Sequence, residues 1–345
     1  MLAVVTNLTL IINKVYSQRK CSHIKLFARK HSYKVLFFGS DSIALKSLQK
    51  VNEFRKSENI IKRLDFVTSN NTKTKSEIEK YALAEGIGVR TWPLQKIATS
   101  EYDIGLIVAF GHLIKDNILN KFPLGIINVH PSLLPRWRGA APIIHTLLHG
   151  DQQTGVSLMR IKANVFDVGE IISQRKIAVS KDIKLPELTE QLSDIGADML
   201  VECIRLLPDS LVKAQPQSNY GVTYARKINK SISEVRWTEM KATDVYNLYR
   251  AVYGLYPLSS KFRDKTVKLF GAFLDHTEEI EKSHLPIGTL KYCHKVNAIK
   301  VLCKDMKYIC FKSIRIVGKR EISALDFYNG YIKNALGEKR CTLAC

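Results

Sequence analysis

Asn128 and His130 stand two apart in the run Ile126-Ile-Asn-Val-His130, an apolar stretch stopped by Pro131 and by the turn at 135–139. On an extended strand, residues i and i+2 project to one face, about 7 Å apart along the chain. An amide and an imidazole at such a strand end can both point at one small carbonyl group. Asp167 follows 37 residues after His130, in Phe166-Asp167-Val168-Gly169, a glycine-containing loop behind another apolar run. This set suits acyl transfer to a weakly basic amine. An α-amine has a pKa of about 7.7–8.0 and is partly neutral near physiological pH, so no strong nucleophile has to be generated. The catalyst must stabilise an oxyanion and move protons. Asn128 can donate a hydrogen bond to that oxygen, a contribution of roughly 10²–10³ in rate. His130 can donate to the same oxygen or take the amine's proton, with Asp167 orienting or charging it. Taken alone, N-x-H is a weak signal. Strand-end histidines are often structural, and loop aspartates often only form turns.

The elements that must position these residues read as α/β. Residues 33–39 form a buried apolar strand ending in Gly39, and a helix follows from 42 to about 54. Strands are predicted at 64–68, 89–92, 104–110 and 126–130, with helices at 75–85 and around 113–119 between them. Further strands at 155–161 and 171–179 precede a long helix over 185–206. Apolar strands alternating with helices argue for a Rossmann-like, mostly parallel sheet covered on both faces. In such sheets ligands bind beyond the carboxyl ends of the strands, where His130 falls. The first turn, Gly39-Ser40-Asp41-Ser42, lacks the later glycines of GxGxxG, and no GxxxxGK[ST] run occurs. Neither dinucleotide binding nor an NTP-binding loop is supported. Residues 208–217, with two prolines, read as an interdomain linker. Beyond it, a helix at 242–253 and short strands at 266–270, 288–292, 298–303 and 308–316 predict a small OB-like β-barrel.

Charge divides the chain differently. The 345 residues carry 53 Lys+Arg against 32 Asp+Glu, a net of +21, which points to a polyanionic partner. Residues 1–40 hold 7 basic and no acidic side chains, 41–220 hold 23 and 20, and 221–345 hold 23 and 12. The middle is therefore an ordinary enzyme surface and the excess sits at the ends. An acid-free leader with dispersed Arg and Lys predicts a mitochondrial presequence over residues 1–32. In the C-terminal part, Arg226, Lys227, Lys230, Lys261, Arg263, Lys265, Lys268, Lys312, Arg315, Lys319 and Arg320 would form a phosphate-tracking surface if they share a face. No run approaches the roughly 18–20 apolar residues of a membrane span, so no membrane partner is expected. The seven cysteines include no CxxC pair, which points to reduced thiols. His145 and His149 form HxxxH without the glutamate of a zinc motif, so they read as structural and no metal is expected.

The flanks of the chemical residues carry more information. Ile127-Asn-Val-His-Pro-Ser-Leu-Leu-Pro-Arg-Trp-Arg-Gly-Ala-Ala-Pro-Ile143 strongly resembles the signature of the methionyl-tRNA formyltransferases, a branch of the folate-dependent formyltransferases. The Arg-Trp-Arg-Gly-Ala-Ala-Pro continuation is the part characteristic of that branch. Val108-Ala-Phe-Gly111 looks like the family's folate-side strand, residues 166–170 like its aspartate loop, and Thr223-Tyr-Ala-Arg-Lys-Ile228 like the entry to its C-terminal domain. The resemblance spans about residues 33–335.

It implies formyl transfer from 10-formyltetrahydrofolate, the co-substrate, to the methionine amine of initiator Met-tRNA; with the presequence reading, a monomer in the mitochondrial matrix is expected, without a metal. The family's asparagine, histidine and aspartate fall on Asn128, His130 and Asp167. Folate contacts fall on Val108, Ala109, Phe110 and Gly111 and on Ser132, Leu133, Leu134 and Pro135. The tRNA contacts are expected at Lys73 and Lys75 from the family's basic loop, at Arg136 and Arg138 within the signature, and, from the basic charge of the C-terminal part, at Arg226, Lys227, Lys261, Arg263 and Lys265. Lys73 and Lys75 are reduced counterparts of a longer basic loop in the family, Lys115 stands where proline is common, and Val168 where threonine is common. The domains implied are a presequence at 1–32, a catalytic domain at 33–207, a linker at 208–220, a tRNA-binding barrel at 221–335 and a flexible tail at 336–345. A formyltransferase acting on a small amine, such as a phosphoribosyl-glycinamide or an amino sugar, is the nearest alternative. A noncatalytic tRNA-binding protein is the other. The basic second domain disfavours the first, and the retained Asn128, His130 and Asp167 disfavour the second.

Overall fold

The computed structural model describes residues 32–69, 74–94, 96–275, 285–334 and 342–344. The predicted presequence up to residue 31, Lys73, and the tail at 336–341 and 345 lie outside the described residues.

Two compact units divide the chain. The first comprises the chain up to 140 together with 154–177 and 189–224; the second comprises 141–153, 178–188 and 225–345. The first unit is built on a seven-stranded sheet. Its strands are β1 (Tyr33–Gly39), β2 (Ile61–Thr68), β3 (Gly88–Thr91), β4 (Ile104–Val108), β5 (Ile126–His130), β6 (Gln153–Arg160) and β7 (Glu170–Ala178), in the spatial order β3-β2-β1-β4-β5-β6-β7. β1 pairs in parallel with β2 and β4, β2 with β3, and β4 with β5, whereas β6 runs antiparallel to β5.

The inner strands are apolar on both faces because helices cover both: Val35, Leu36, Phe37 and Phe38 are all fully buried. After β1, Asp41 caps the helix Ser42–Ser57, its carboxylate accepting from the backbone N–H of Ile43 at 3.0 Å and of Ala44 at 3.1 Å. Arg55 and Lys56 occupy that helix's last turn, where the dipole favours cations. The helix predicted around 113–119 shortens to Asp116–Leu119. Gly111 takes a left-handed φ of 70° and Ile114 is buried in a cluster with Phe38, Phe110 and Phe122, so the chain enters as irregular backbone. The predicted linker contains a short helix, Asp209–Val212.

The strands of the expected barrel form two four-stranded antiparallel sheets. One runs Leu258–Phe262, Lys265–Phe270, Ser313–Ile316 and Ile322–Ser323; the other runs Phe273–Leu274, Tyr308–Phe311, Ala298–Leu302 and Leu290–Cys293. They share a core with the helix Ala242–Val252, including Val245, Leu248, Val267, Leu269, Ile299, Val301 and Phe311. Trp237 is 1% exposed there, and its indole N–H donates to Ser260 Oγ at 2.8 Å, which satisfies its one polar atom. Among the described residues, Cys203, Cys293, Cys303 and Cys310 are not joined in disulfides.

His145, on the helix Pro142–Leu148, is not grouped with any metal-binding set among the described residues. Its Nε2 lies 3.0 Å from the Arg226 carbonyl. Burial, seconded by His149, pushes this imidazole below its ordinary value against the opposing pull of that hydrogen bond. As pH falls, the unfolded chain therefore takes up the proton first. The stability contributed by neutral His145 is complete above about 6.5 and is lost as pH descends toward the lower folded value. In His145→Gln, the fall of the urea midpoint between about pH 7 and pH 5 is expected to be shallower than in the wild type. An unchanged slope would count against this account.

Candidate active site

β5 delivers Asn128 and His130 to the carboxyl end of the sheet, where His130 lies opposite Ser157 of β6. His130 is 4% and Asp167 8% exposed, while Asn128 is half-buried. The three meet. Asn128 Nδ2 donates to Asp167 Oδ1 at 3.4 Å, and His130 Nδ1 lies 3.6 Å from the same oxygen. The other carboxylate oxygen accepts the Gly139 backbone N–H at 2.8 Å. His130 Nε2 is 2.9 Å from the Trp137 carbonyl oxygen. A carbonyl only accepts, so Nε2 carries the hydrogen and Nδ1 is the ring nitrogen left to gain or lose a proton beside the carboxylate.

Backbone shape explains how Asp167 gets there. Asp167 has φ 55° and Asn164 φ 63°, left-handed conformations that Asp and Asn tolerate better than other non-glycine residues. Gly169 follows because its backbone lies against Arg160, where a Cβ would collide with the Arg160 carbonyl oxygen. On the other side, Trp137 takes φ 61° and buries its ring, turning its carbonyl toward His130.

The two segments implied for folate leave neighbouring strands at the same edge, since β4 and β5 are adjacent, with Val108 paired to Val129. Ala109 and Gly111 adopt positive φ, and Gly111 is exposed. Ser132 and Leu134 are committed inside the loop. Ser132 Oγ donates to the Arg136 carbonyl at 2.6 Å, and the Leu134 N–H donates to Ser157 Oγ at 3.0 Å. Ser157 Oγ in turn donates to the Ser132 carbonyl at 2.6 Å and accepts from Gln174 at 2.8 Å. Leu133 and Pro135 are half-buried.

Residues 89–204 match the formyl transferase family model, and 227–332 match its C-terminal domain model. The mitochondrial methionyl-tRNA formyltransferase of Bos taurus is 38% identical over 312 residues, covering 88% of this chain and 78% of the bovine one. The chain belongs to the methionyl-tRNA formyltransferase family. The human mitochondrial member is 37% identical over 88% of this chain and 79% of its own. Among solved structures, a sugar 3N-formyl transferase in the presence of dTDP and 5-N-formyl-THF superposes with a TM-score of 0.61 at 21% identity, covering 84% of this chain and 100% of that one. An N-formyltransferase from Helicobacter canadensis in complex with folinic acid and dTDP-3-aminofucose gives 0.59 at 19%, covering 81% and 98%. At such identities these structures establish the fold.

The basic residues implied by the family signature sort unevenly. Arg136 stacks its guanidinium 4.3 Å from the Trp137 ring centre, Arg138 is hydrogen-bonded to Gln217, and Lys75 is exposed. Arg226 and Lys227 are exposed. In the first antiparallel sheet of the second unit, Lys268 lies opposite Arg315 on one side and Ser259 on the other, and Lys261 lies opposite Thr266. Directly paired residues share a face, so Lys261, Lys268 and Arg315 stand on the face opposite buried Val267 and Leu269. Lys268 is pushed below its ordinary value chiefly by partial burial, then by Lys230 and Arg315 against the pull of Glu234. Lys265 has the other parity, and Arg263 sits in a two-residue hairpin turn with φ 46°, its guanidinium donating to the Tyr331 carbonyl at 2.6 Å.

Several residues of the site carry no signal in the sequence. Gln217 reaches back to the Asp167 loop, and Thr223 Oγ1 accepts the Trp137 N–H at 2.9 Å. Neither belongs to a spacing rule. A return contact across 50 residues could have been found only from structure.

Proposed function

We propose that this chain transfers the formyl group of 10-formyltetrahydrofolate to the methionine α-amine of initiator Met-tRNA in the mitochondrial matrix, acting as a monomer. The observation that carries the reading is the convergence of Asn128 and His130 on one Asp167 oxygen at the end of β5. The mitochondrial relatives named above support the tRNA substrate and the compartment. The 5-N-formyl-THF and folinic acid that accompany the structural neighbours support a folate donor. On this reading residues 33–207 are catalytic, 208–220 connect, 221–335 bind RNA, and 1–32 are the import sequence.

When bound, the folate supplies the activated one-carbon unit. The chain's own residues supply the rest. The amide of Asn128 has two N–H donors; one holds Asp167, and the other serves the oxyanion that develops on the formyl oxygen. As the new C–N bond forms, His130 takes the amine's proton at Nδ1, where the resulting cation faces the Asp167 carboxylate, and it gives that proton to the departing folate nitrogen as the old C–N bond breaks. The carboxylate is fixed by the Gly139 N–H, so little rearrangement accompanies the proton's arrival. Formylation of a small amine remains the second reading, because the structural neighbours include sugar N-formyltransferases. Incubation with labelled 10-formyltetrahydrofolate and either charged initiator tRNA or a dTDP-amino sugar separates the two. Label is expected in the tRNA alone, and its absence there would sink the proposal.

The face bearing Lys261, Lys268 and Arg315 is assigned to tRNA phosphate. Replacing all three by Ala is expected to weaken initiator tRNA binding about 10-fold at low salt. The log–log salt slope should flatten by about 2–3, from roughly 0.7–0.9 per lost phosphate contact. Unchanged affinity and slope would remove the sheet face from the interface.

A further inference from the structure

We infer that Gln217 is a positioning residue for Asp167, an inference that rests on the formyl-transfer reading above. The segment carrying Gln217 follows the long helix Leu185–Arg205 in the chain and returns to the site. Gln215 first exchanges two backbone hydrogen bonds with Ile171, at 2.7 and 2.8 Å, which sets the segment alongside the start of β7. Two residues on, the Gln217 side chain enters the gap between the two halves of the site. Its Nε2 donates to the carbonyls of Asp167 and Gly169, both at 2.9 Å. Its Oε1 accepts from Arg138 Nε at 3.0 Å and Nη2 at 2.6 Å.

The amide therefore uses both ends at once, and each end holds one wall. The Asp167 loop is in a left-handed conformation that needs external support, and the Gln217 donors supply it at the backbone. The opposite wall holds Arg138, whose neighbour Gly139 gives its N–H to the Asp167 carboxylate. Gln217 thus closes a ring from Arg138 through Gly139 to Asp167 and back, and fixes the carboxylate against Asn128 and His130. A glutamine suits this place because its primary amide carries two N–H donors and an oxygen acceptor on one carbon. A glutamate would keep the Arg138 contact and set an oxygen against two carbonyl oxygens.

The test measures steady-state formylation, melting temperature and amide hydrogen exchange of the full-length chain. Gln217→Leu is expected to lower kcat about 10-fold, as displacement of a catalytic group by a fraction of an ångström does, with KM for both substrates within about twofold. Exchange should accelerate across 163–170. Gln217→Glu, the same size and still able to hold Arg138, should lose turnover similarly, and it carries the test if the leucine variant does not fold. Adding Gln217→Leu to Asp167→Ala should cost less than about twofold, because a residue that acts through Asp167 has nothing left to position. Full turnover in Gln217→Glu, or an undiminished 10-fold loss in the Asp167→Ala background, would overturn the inference. Absence of formyl-Met-tRNA with the wild type would refute the reaction itself. In that case the exchange comparison alone decides the point, and unaltered exchange across 163–170 refutes the positioning role.

Discussion

Asn128→Ala, His130→Ala and Asp167→Ala are each expected to lower kcat for initiator tRNA formylation by at least about 10², with tRNA affinity within about threefold of the wild type. The reason is geometric. All three side chains share one oxygen, Asp167 Oδ1, with Nδ2 of Asn128 at 3.4 Å and Nδ1 of His130 at 3.6 Å. Removing any one leaves the other two misaligned as well as depriving the reaction of a donor, a proton acceptor or a counter-charge. Losses from residues acting as a unit do not add, so the triple variant should be little worse than the worst single one. Initial rates at saturating tRNA, with binding measured separately, provide the check. Near-normal turnover in all three would end the chemical assignment.

Gly169→Ala is expected to cost about 2–4 kcal/mol in unfolding free energy, in the range of substitutions that force backbone displacement. It should abolish most turnover in whatever fraction stays folded. A Cβ at 169 meets a carbonyl oxygen of Arg160 and that residue's carbonyl carbon, atoms of a strand that cannot rotate aside as a side chain could. The loop would have to lift, carrying Asp167 away from the Gly139 N–H and from the two Gln217 contacts. Gly330→Ala is the control, since nothing lies within 4 Å of the added carbon there; its urea midpoint should stay near the wild type. Equal behaviour of the two variants would show that the Asp167 loop tolerates displacement.

Much of this was legible before any coordinates, for identifiable reasons. Strands such as Tyr33–Gly39 announce themselves because burial on both faces leaves them almost no polar positions. The placement of Asn128 and His130 at a strand end followed from Pro131, which stops the ladder. Asp167 is recognisable as a loop residue from the glycine-containing run Phe166-Asp167-Val168-Gly169, although the close approach of Gly169 to Arg160 is not. What local pattern could not supply was closure. The segment around Gln217, with its prolines and polar residues, reads as connection, and nothing in its composition says that it ends against a loop formed 50 residues earlier. Sheet parity was hidden in a similar way. Lys261, Arg263 and Lys265 look equivalent as a basic run, but the hairpin turn at Arg263-Asp264 places Lys261 and Lys265 at different parities. Turn type decides that, and turn type depends on backbone angles that those two residues only weakly favour.

One consequence follows from where the sheet begins. β1, the first strand among the described residues, is flanked by β2 and β4 and is therefore interior, and the Tyr33 hydroxyl donates to the Leu207 carbonyl at 3.1 Å. A truncation that reaches Tyr33 therefore strips pairing from two neighbouring strands at once. Loss of Tyr33–Gly39 would withdraw an interior plank from the sheet whose β5 carries Asn128 and His130.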